Sequence, residues 1–232
     1  MQPQPARAAY DAIAAEYDDR VAPSSWVRER LWERLDALFP AGSRVFDVTA
    51  GTGLDALHLT ARGVNVTACD VSAGMLARLA MKAPSIPTVL ADLERLDEVA
   101  IEGPFDGLIS TFAGLNAAAD LAGFARAAAR LVRPGGVLFL HVLGRWRKGW
   151  RRTLNVKIAG VEVPHRLWRP TDLASIFAHE FSLLRVRGQG ILRPVDDTGR
   201  YAARDRWEQA LSAIPVIRGL GTFYLAELIR HG

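Results

Sequence analysis

The chain has 232 residues, of which 50% are hydrophobic and 23% charged, with a formal net charge of +4 and a sequence pI near 9.6. That length and apolar content support one well-buried domain with a modest elaboration, and exclude two full-sized ones. A single cysteine, Cys69, excludes an internal disulfide and any multi-cysteine metal site, and of 29 basic residues only Lys82, Lys148 and Lys157 are lysine, so the pI overstates a mild positive excess.

The N-terminus M-Q-P-Q-P-A-R lacks the apolar core of a signal peptide, and the longest apolar run, around Val137 to Leu143, is too short to span a bilayer. A soluble, cytoplasmic protein is expected. Residues 6–20 have helical spacing, with Tyr10, Ala14 and Tyr17 on one face and an aspartate after each tyrosine. Two hydroxyl-tipped aromatics on one stripe can close over an apolar ligand or pack on the core. A second helix follows Pro23-Ser24-Ser25, with Val27, Leu31, Leu35 and Leu38 on one face, and stops at Pro40-Ala41-Gly42.

Next comes V-F-D-V-T-A-G-T-G, from Val45 to Gly53: an apolar strand carrying Asp47, a Gly-x-Gly turn, and then a helix with Leu54, Leu57 and Leu59. A buried carboxylate is costly unless paired, which makes Asp47 a functional candidate. The glycines let a ligand lie against the backbone, and a turn at the carboxyl end of a parallel strand is where nucleotide-like ligands bind. The second strand, V-N-V-T-A-C-D, ends on Asp70, 19 positions after Gly51. That interval suits an acid that binds two ribose hydroxyls, although Asp70 also suits a cap for the helix from Ser72. Cys69 beside it reads as a small core residue.

The third strand, T-V-L-A-D, finishes in Asp92 and is followed by Leu93; Glu94, Asp97 and Glu98 read as surface acids. Three strands bearing an acid point to one ligand shared across their ends. A fourth strand, F-D-G-L-I-S-T, starts at Asp106, a structural acid, and leads into Ser110, Thr111, Phe112 and Asn116 at the ligand edge. A helix from Asp120 to Val132 and Pro134-Gly135-Gly136 precede the fifth strand, V-L-F-L-H-V-L, which holds His141 among apolar neighbours.

The regular alternation predicts an α/β, doubly wound parallel sheet. It breaks at residues 144–170, where R-W-R-K-G-W-R-R precedes two short runs, T-L-N-V-K-I and V-E-V-P-H-R-L-W, that suggest a hairpin inserted near the ligand edge. This basic, tryptophan-rich stretch suits an anionic substrate or nucleic acid, or a solvated flap with inward aromatics. A short helix at Thr171-Asp172, a sixth strand from Glu180, a helix over residues 200–214 and a last strand F-Y-L-A-E-L-I complete the chain.

These residues resemble the class I S-adenosylmethionine-dependent methyltransferases, small-molecule type, over nearly the full length. The resemblance rests on Tyr-Asp-x-x-Ala-x-x-Tyr-Asp at Tyr10 to Asp18, Asp-x-x-x-Gly-x-Gly at Asp47 to Gly53, Asp70, Ala91-Asp92-Leu93, and L-V-R-P-G-G before strand five. One departure is Thr49-Ala50, where the usual motif has a glycine and a cysteine. The resemblance implies a Rossmann-like, mostly parallel seven-stranded sheet with an antiparallel C-terminal strand, in a single domain whose residues 1–40 form a helical lid and whose residues 144–170 form a substrate-side insertion.

It also implies S-adenosylmethionine as cofactor, with no metal. Gly51 and Gly53 would face its methionine and ribose portion, and Ala50 between strand and turn would also bind the cofactor. Asp70 would hold the ribose hydroxyls and Asp92 with Leu93 the adenine, with Val71 and Met75 also among the cofactor-binding residues. Asp47 would orient the loop or reach the ammonium, Tyr10 and Tyr17 would close the site, and Thr111 would complete it. Phe112, Asn116 and Arg145 would form the substrate wall, and His141 or His165 would serve as base if one is needed. The expected reaction is methyl transfer to an oxygen, nitrogen or carbon nucleophile of a small, including anionic, acceptor, by a monomer or homodimer that leaves membranes and nucleic acid alone. Three alternatives remain open: a nucleic-acid methyltransferase, disfavoured by S-T-F-A-G-L-N after strand four; an NAD(P)-dependent oxidoreductase, since G-T-G-L-D-A and Asp70 fit its fingerprint; and a non-catalytic cofactor-binding protein.

Overall fold

The computed structural model describes residues 5–146, 149 and 151–232. Its first helices are α1 (Pro5–Ile13), α2 (Tyr17–Val21) and α3 (Ser25–Leu38). The single helix expected over residues 6–20 is thus two, broken at Ala14 to Glu16, and the break swings the Tyr10 and Tyr17 rings into an edge-to-face pair with centroids 6.3 Å apart. The alternating core follows as β1 (Arg44–Asp47), α4 (Leu54–Ala61), β2 (Asn65–Asp70), α5 (Ala73–Lys82), β3 (Thr88–Leu90), β4 (Phe105–Ser110), α6 (Leu121–Leu131) and β5 (Val132–Leu143). The expected hairpin is β6 (Thr153–Ile158) and β7 (Val161–Arg166), and the chain finishes with α7 (Pro170–Phe177), β8 (Phe181–Gln189), α8 (Asp205–Ser212) and β9 (Phe223–Arg230).

The sheet order is β3-β2-β1-β4-β5-β9-β8, with β9 antiparallel to both its neighbours and every other pairing between β1 and β5 parallel. This is the Rossmann-like, mostly parallel seven-stranded sheet with one antiparallel strand that the sequence leads one to expect.

Side-chain alternation along each strand feeds two cores. Phe46, Leu108, Leu138 and Leu140 pack with Phe124 of α6 and Phe177 of α7, whereas Val45, Ile109 and Phe139 pack with Leu31 and Leu35 of α3 and Leu59 of α4. Because both faces are covered, near-continuous apolar strands are stable only here. Helix α3 is further fixed by Arg34, whose Nε and Nη2 donate to Glu227 Oε1 and Oε2 of β9 at 2.6 and 2.7 Å.

Two features position a site. The chain reverses direction across the sheet at β1, which lies between β2 and β4, so a crevice opens at the carboxyl ends of these strands. Helix α1 then lies over that crevice: Ala6 and Ala9 pack against Val163 of β7, and Ile13 and Ala14 pack against Met75 of α5. The hairpin therefore braces the N-terminal helix from outside. Asp11 Oδ1 adds an anchor by accepting from Ser72 Oγ at 2.5 Å and Gly74 N at 2.9 Å.

Candidate cofactor cleft

Beneath α1, at the carboxyl ends of β1 to β4, lies a cleft of roughly 680 Å³. Tyr10, Tyr17, Gly51, Asp70, Val71, Met75, Asp92, Leu93, Thr111 and Phe112 all line it, ten of the residues selected from sequence. Ala6, Val48, Thr49, Ala91, Glu94, Gly114, Ala117 and Ala118 complete the wall. Glu94, read as a surface acid, belongs to the cleft.

The backbone of the turn is arranged by the second-strand acid. Gly51, at φ +55, donates its amide to Asp70 Oδ2 at 2.8 Å, and Ser72 N donates to Asp70 Oδ1 at 2.9 Å. Burial raises the Asp70 carboxyl, and these backbone donors pull it back toward the ionised form. Asp70 thus both caps the loop before α5 and faces the cleft. Asp92 repeats the device one strand further, accepting from Glu94 N at 3.0 Å and starting a 3-10 turn over Leu93–Glu98.

Burial, reinforced by the Asp70 charge, pushes the Tyr10 phenol up to about 12, and burial raises Tyr17 further. Both therefore stay neutral near pH 7 and offer a proton donor and an apolar ring face. A Cβ built on Gly51 would stand 3.7 Å from Tyr17 Cε1, so this ring lies directly over the turn.

Three expected cofactor residues do not line the cleft. Asp47 is fully buried behind the loop; Thr49 N reaches its Oδ1 at 3.4 Å, and Oδ2 has no partner. Burial, with Asp55 and Asp70 adding repulsion, raises this carboxyl well above the usual range. Of its two expected roles, orienting the loop fits this position. Gly53, at φ +85, serves packing: a Cβ there would stand 2.2 Å from Leu79 Cδ1. Ala50 lines a smaller recess beside the turn together with Arg28 and Asp55.

Arg28 and Asp55 were not foreseen in the sequence. Both are buried; Arg28 Nη1 donates to Asp55 Oδ1 at 2.6 Å, Trp32 Nε1 donates to the same oxygen at 2.8 Å, and Thr111 Oγ1 donates to Oδ2 at 2.5 Å. Burial alone would raise Asp55, but Arg28, Thr111 and Trp32 outweigh it and hold the carboxyl below its usual value. The Arg28 guanidinium also sits 4.0 Å from the Phe112 ring centroid. Helical spacing put Arg28 beside the apolar stripe, and nothing local indicated that α4 would bring a carboxylate to it.

The expected bases and most of the expected substrate wall lie elsewhere. His141 is fully buried in β5, outside the cleft lining; its Nδ1 accepts from Phe112 N at 3.2 Å and its ring stacks on Phe223 with centroids 4.5 Å apart. Burial pulls it down to about 3, with the Gln189 amide and then Asp55 opposing, although His141 Nε2 and Gln189 Oε1 complete no hydrogen bond. His165 is buried in β7, its Nδ1 against Val163 O at 3.0 Å, and burial lowers it as well. Asn116 is a strut: its Nδ2 donates to Leu143 O and Arg166 O, and its Oδ1 accepts from Leu143 N at 2.9 Å. Arg145 binds Leu167 O at 2.8 Å and Asp172 Oδ2 at 2.9 Å and lines a separate recess. Phe112 alone of the substrate trio lines the cleft.

Among the described residues no cluster of three or more His, Cys, Asp or Glu could hold a metal ion, and no helix is long and apolar enough to cross a membrane.

Residues 45–136 match the family described as a methyltransferase domain. A demethylmenaquinone methyltransferase of Beutenbergia cavernae is 37% identical over 132 residues, covering 56% of this chain and 54% of that protein. The protein of that name from Mycobacterium tuberculosis is 35% identical over 144 residues, covering 60% and 58%. The chain thus spans a little over half the length of the curated relatives it matches. Among solved structures, the DhpI–SAH complex matches with a TM-score of 0.66 and 19% identity over 96% of this chain and 93% of that one. A Listeria monocytogenes protein described as an S-adenosylmethionine-dependent methyltransferase matches with a TM-score of 0.62 and 15% identity over 87% and 96%. At these identities the solved structures establish the fold.

Proposed function

We propose that this chain, whose residues 45–136 match a methyltransferase-domain family, is a class I S-adenosylmethionine-dependent methyltransferase that transfers a methyl group from that cofactor to a small-molecule nucleophile. The observation that carries the reading is convergence: Tyr10, Tyr17, Gly51, Asp70 and Asp92, far apart in the chain, line one cleft under α1. Their donor and acceptor types fit the cofactor. Asp70 would take the ribose hydroxyls, Asp92 with Leu93 and Val71 the adenine, and the Gly51 turn under Tyr17 the methionyl portion. The relatives named for demethylmenaquinone support a small, largely apolar acceptor, and Phe112, Ala117 and Ala118 supply an apolar wall for it.

When bound, S-adenosylmethionine supplies a methyl group already activated on a sulfonium. What remains for the chain is to hold the acceptor in line and keep water out, and α1 and α2, which carry the neutral Tyr10 and Tyr17, would do both. Among the described residues no histidine lines the cleft. For an acceptor that must lose a proton, the reading therefore looks to a lining carboxylate such as Glu94, or to water, before a histidine. The single, buried thiol of Cys69 accords with a cytoplasmic setting.

Isothermal titration of the full chain with S-adenosylmethionine, and separately with NAD(P)H, tests the reading. Micromolar binding of the first and none of the second is expected; the reverse would overturn it. Incubation with candidate quinol acceptors, read by product mass, then tests the acceptor class.

A further inference from the structure

A second recess, of roughly 900 Å³, opens beyond β5 and shares no lining residue with the cofactor cleft. Its walls come from three places: Arg145 and Trp146 after β5, Trp168 to Thr171 leading into α7, and Pro215 to Leu220 before β9, with Tyr224 at its base. The Asn116 strut, which ties Leu143 to Arg166, fixes the outer rim of the neighbouring hairpin.

Its polar groups are almost all donors. Arg145 and Arg169 share one carboxylate, Asp172, at 2.9 and 3.0 Å. The Arg218 guanidinium forms no hydrogen bond or ion pair among the described residues, while its backbone N donates to Ile214 O at 2.8 Å and its carbonyl is pinned against the sheet, since a Cβ on Gly188 would stand 2.4 Å from Arg218 O. Two further polar atoms, Trp168 Nε1 and the Tyr224 hydroxyl, are buried without any partner, in residues only 8% and 1% exposed. Buried donors are normally satisfied, and two orphans in one recess beside an unpaired guanidinium indicate a missing set of acceptors. The rest of the wall is apolar, in Pro215, Leu220 and the largely exposed Val216.

We infer that this recess binds a small amphiphilic anion, its carboxylate or phosphate held by Arg218, Trp168 Nε1 and the Tyr224 hydroxyl and its apolar body lying on Pro215, Val216 and Leu220. The tryptophan-rich basic insertion thereby gains a use distinct from the cofactor cleft. The assignment stands on its own geometry and does not depend on methyl transfer.

Phenyl phosphate titrated calorimetrically into the full chain tests it, with benzoate and inorganic phosphate as separate arms. Saturable one-to-one binding of phenyl phosphate or benzoate, tighter than of inorganic phosphate, is expected. Arg218→Ala should weaken it roughly tenfold, and the isosteric Tyr224→Phe roughly threefold. Asp70→Asn, in the cofactor cleft, should leave it unchanged. No saturation by about 10 mM, equal binding by Arg218→Ala, or an equal loss in Asp70→Asn would each overturn the inference.

Discussion

The amide of Gly51 and the Oδ2 of Asp70 are 2.8 Å apart, so the glycine turn and the acid of the second strand form one hydrogen-bonded unit. The carboxylate that would receive the ribose is also the group that sets the loop beneath the methionyl portion. Asp70→Asn leaves one of the two backbone donors without an acceptor and removes a charge-assisted contact. S-adenosylhomocysteine should then bind roughly 10- to 100-fold more weakly by calorimetry, with a stability loss of about 1–3 kcal/mol. An unchanged dissociation constant would exclude the proposed role.

Gly53 is expected to behave differently from Gly51. An alanine there would have to hold φ +85 and place its Cβ 2.2 Å from Leu79 Cδ1. Left-handed backbone costs about 1–2 kcal/mol and overpacking about 1–3 kcal/mol, so Gly53→Ala should melt roughly 5–15 °C lower. Its affinity for S-adenosylhomocysteine, measured on the protein that remains folded, should stay within about threefold. A large affinity loss at unchanged melting temperature would return Gly53 to the ligand.

Asp47 makes a prediction about pH. Its folded-state carboxyl is raised by burial and by Asp55 and Asp70, so above the unfolded-chain value of about 3.9 the unfolded state releases a proton that the folded state keeps. The stability associated with this group is present below that value and is lost as pH rises toward the folded one. Asp47→Asn retains an acceptor for Thr49 N and removes the penalty. The variant should melt above wild type at pH 7, and the two curves should converge below about pH 4. A variant less stable at pH 7 would mean that the carboxylate is paired.

His141 gives the opposite slope. Its imidazole titrates at about 3 in the folded state against about 6.5 when unfolded, so stability is full above 6.5 and falls as the unfolded chain takes up a proton at lower pH. His141→Asn should flatten the stability profile between about pH 6.5 and 4, while the pH dependence of methyl transfer keeps its shape. Disappearance of a kinetic limb near neutral pH would instead identify His141 as a base.

The local sequence determined the strands, the helices and the acids at the strand ends, because periodicity, glycine turns and chain-terminating prolines act over a few residues. Asp70, Asp92 and the two tyrosines were legible for that reason, and so was the hairpin at Thr153–Arg166. Tertiary structure decided which of these groups reach the cleft. Asp47 ends β1 with its carboxyl buried behind the loop, Gly53 answers to Leu79 of α5, and Asn116 spends all its hydrogen bonds on Leu143 and Arg166. The Arg28–Asp55 pair joins α3 to α4, and Arg218 and Trp168, from two connecting segments, come together with Tyr224 of β9. Each of these outcomes depends on partners brought close by the packing of layers, and neither a side chain's burial nor its charge state exists until that packing is complete.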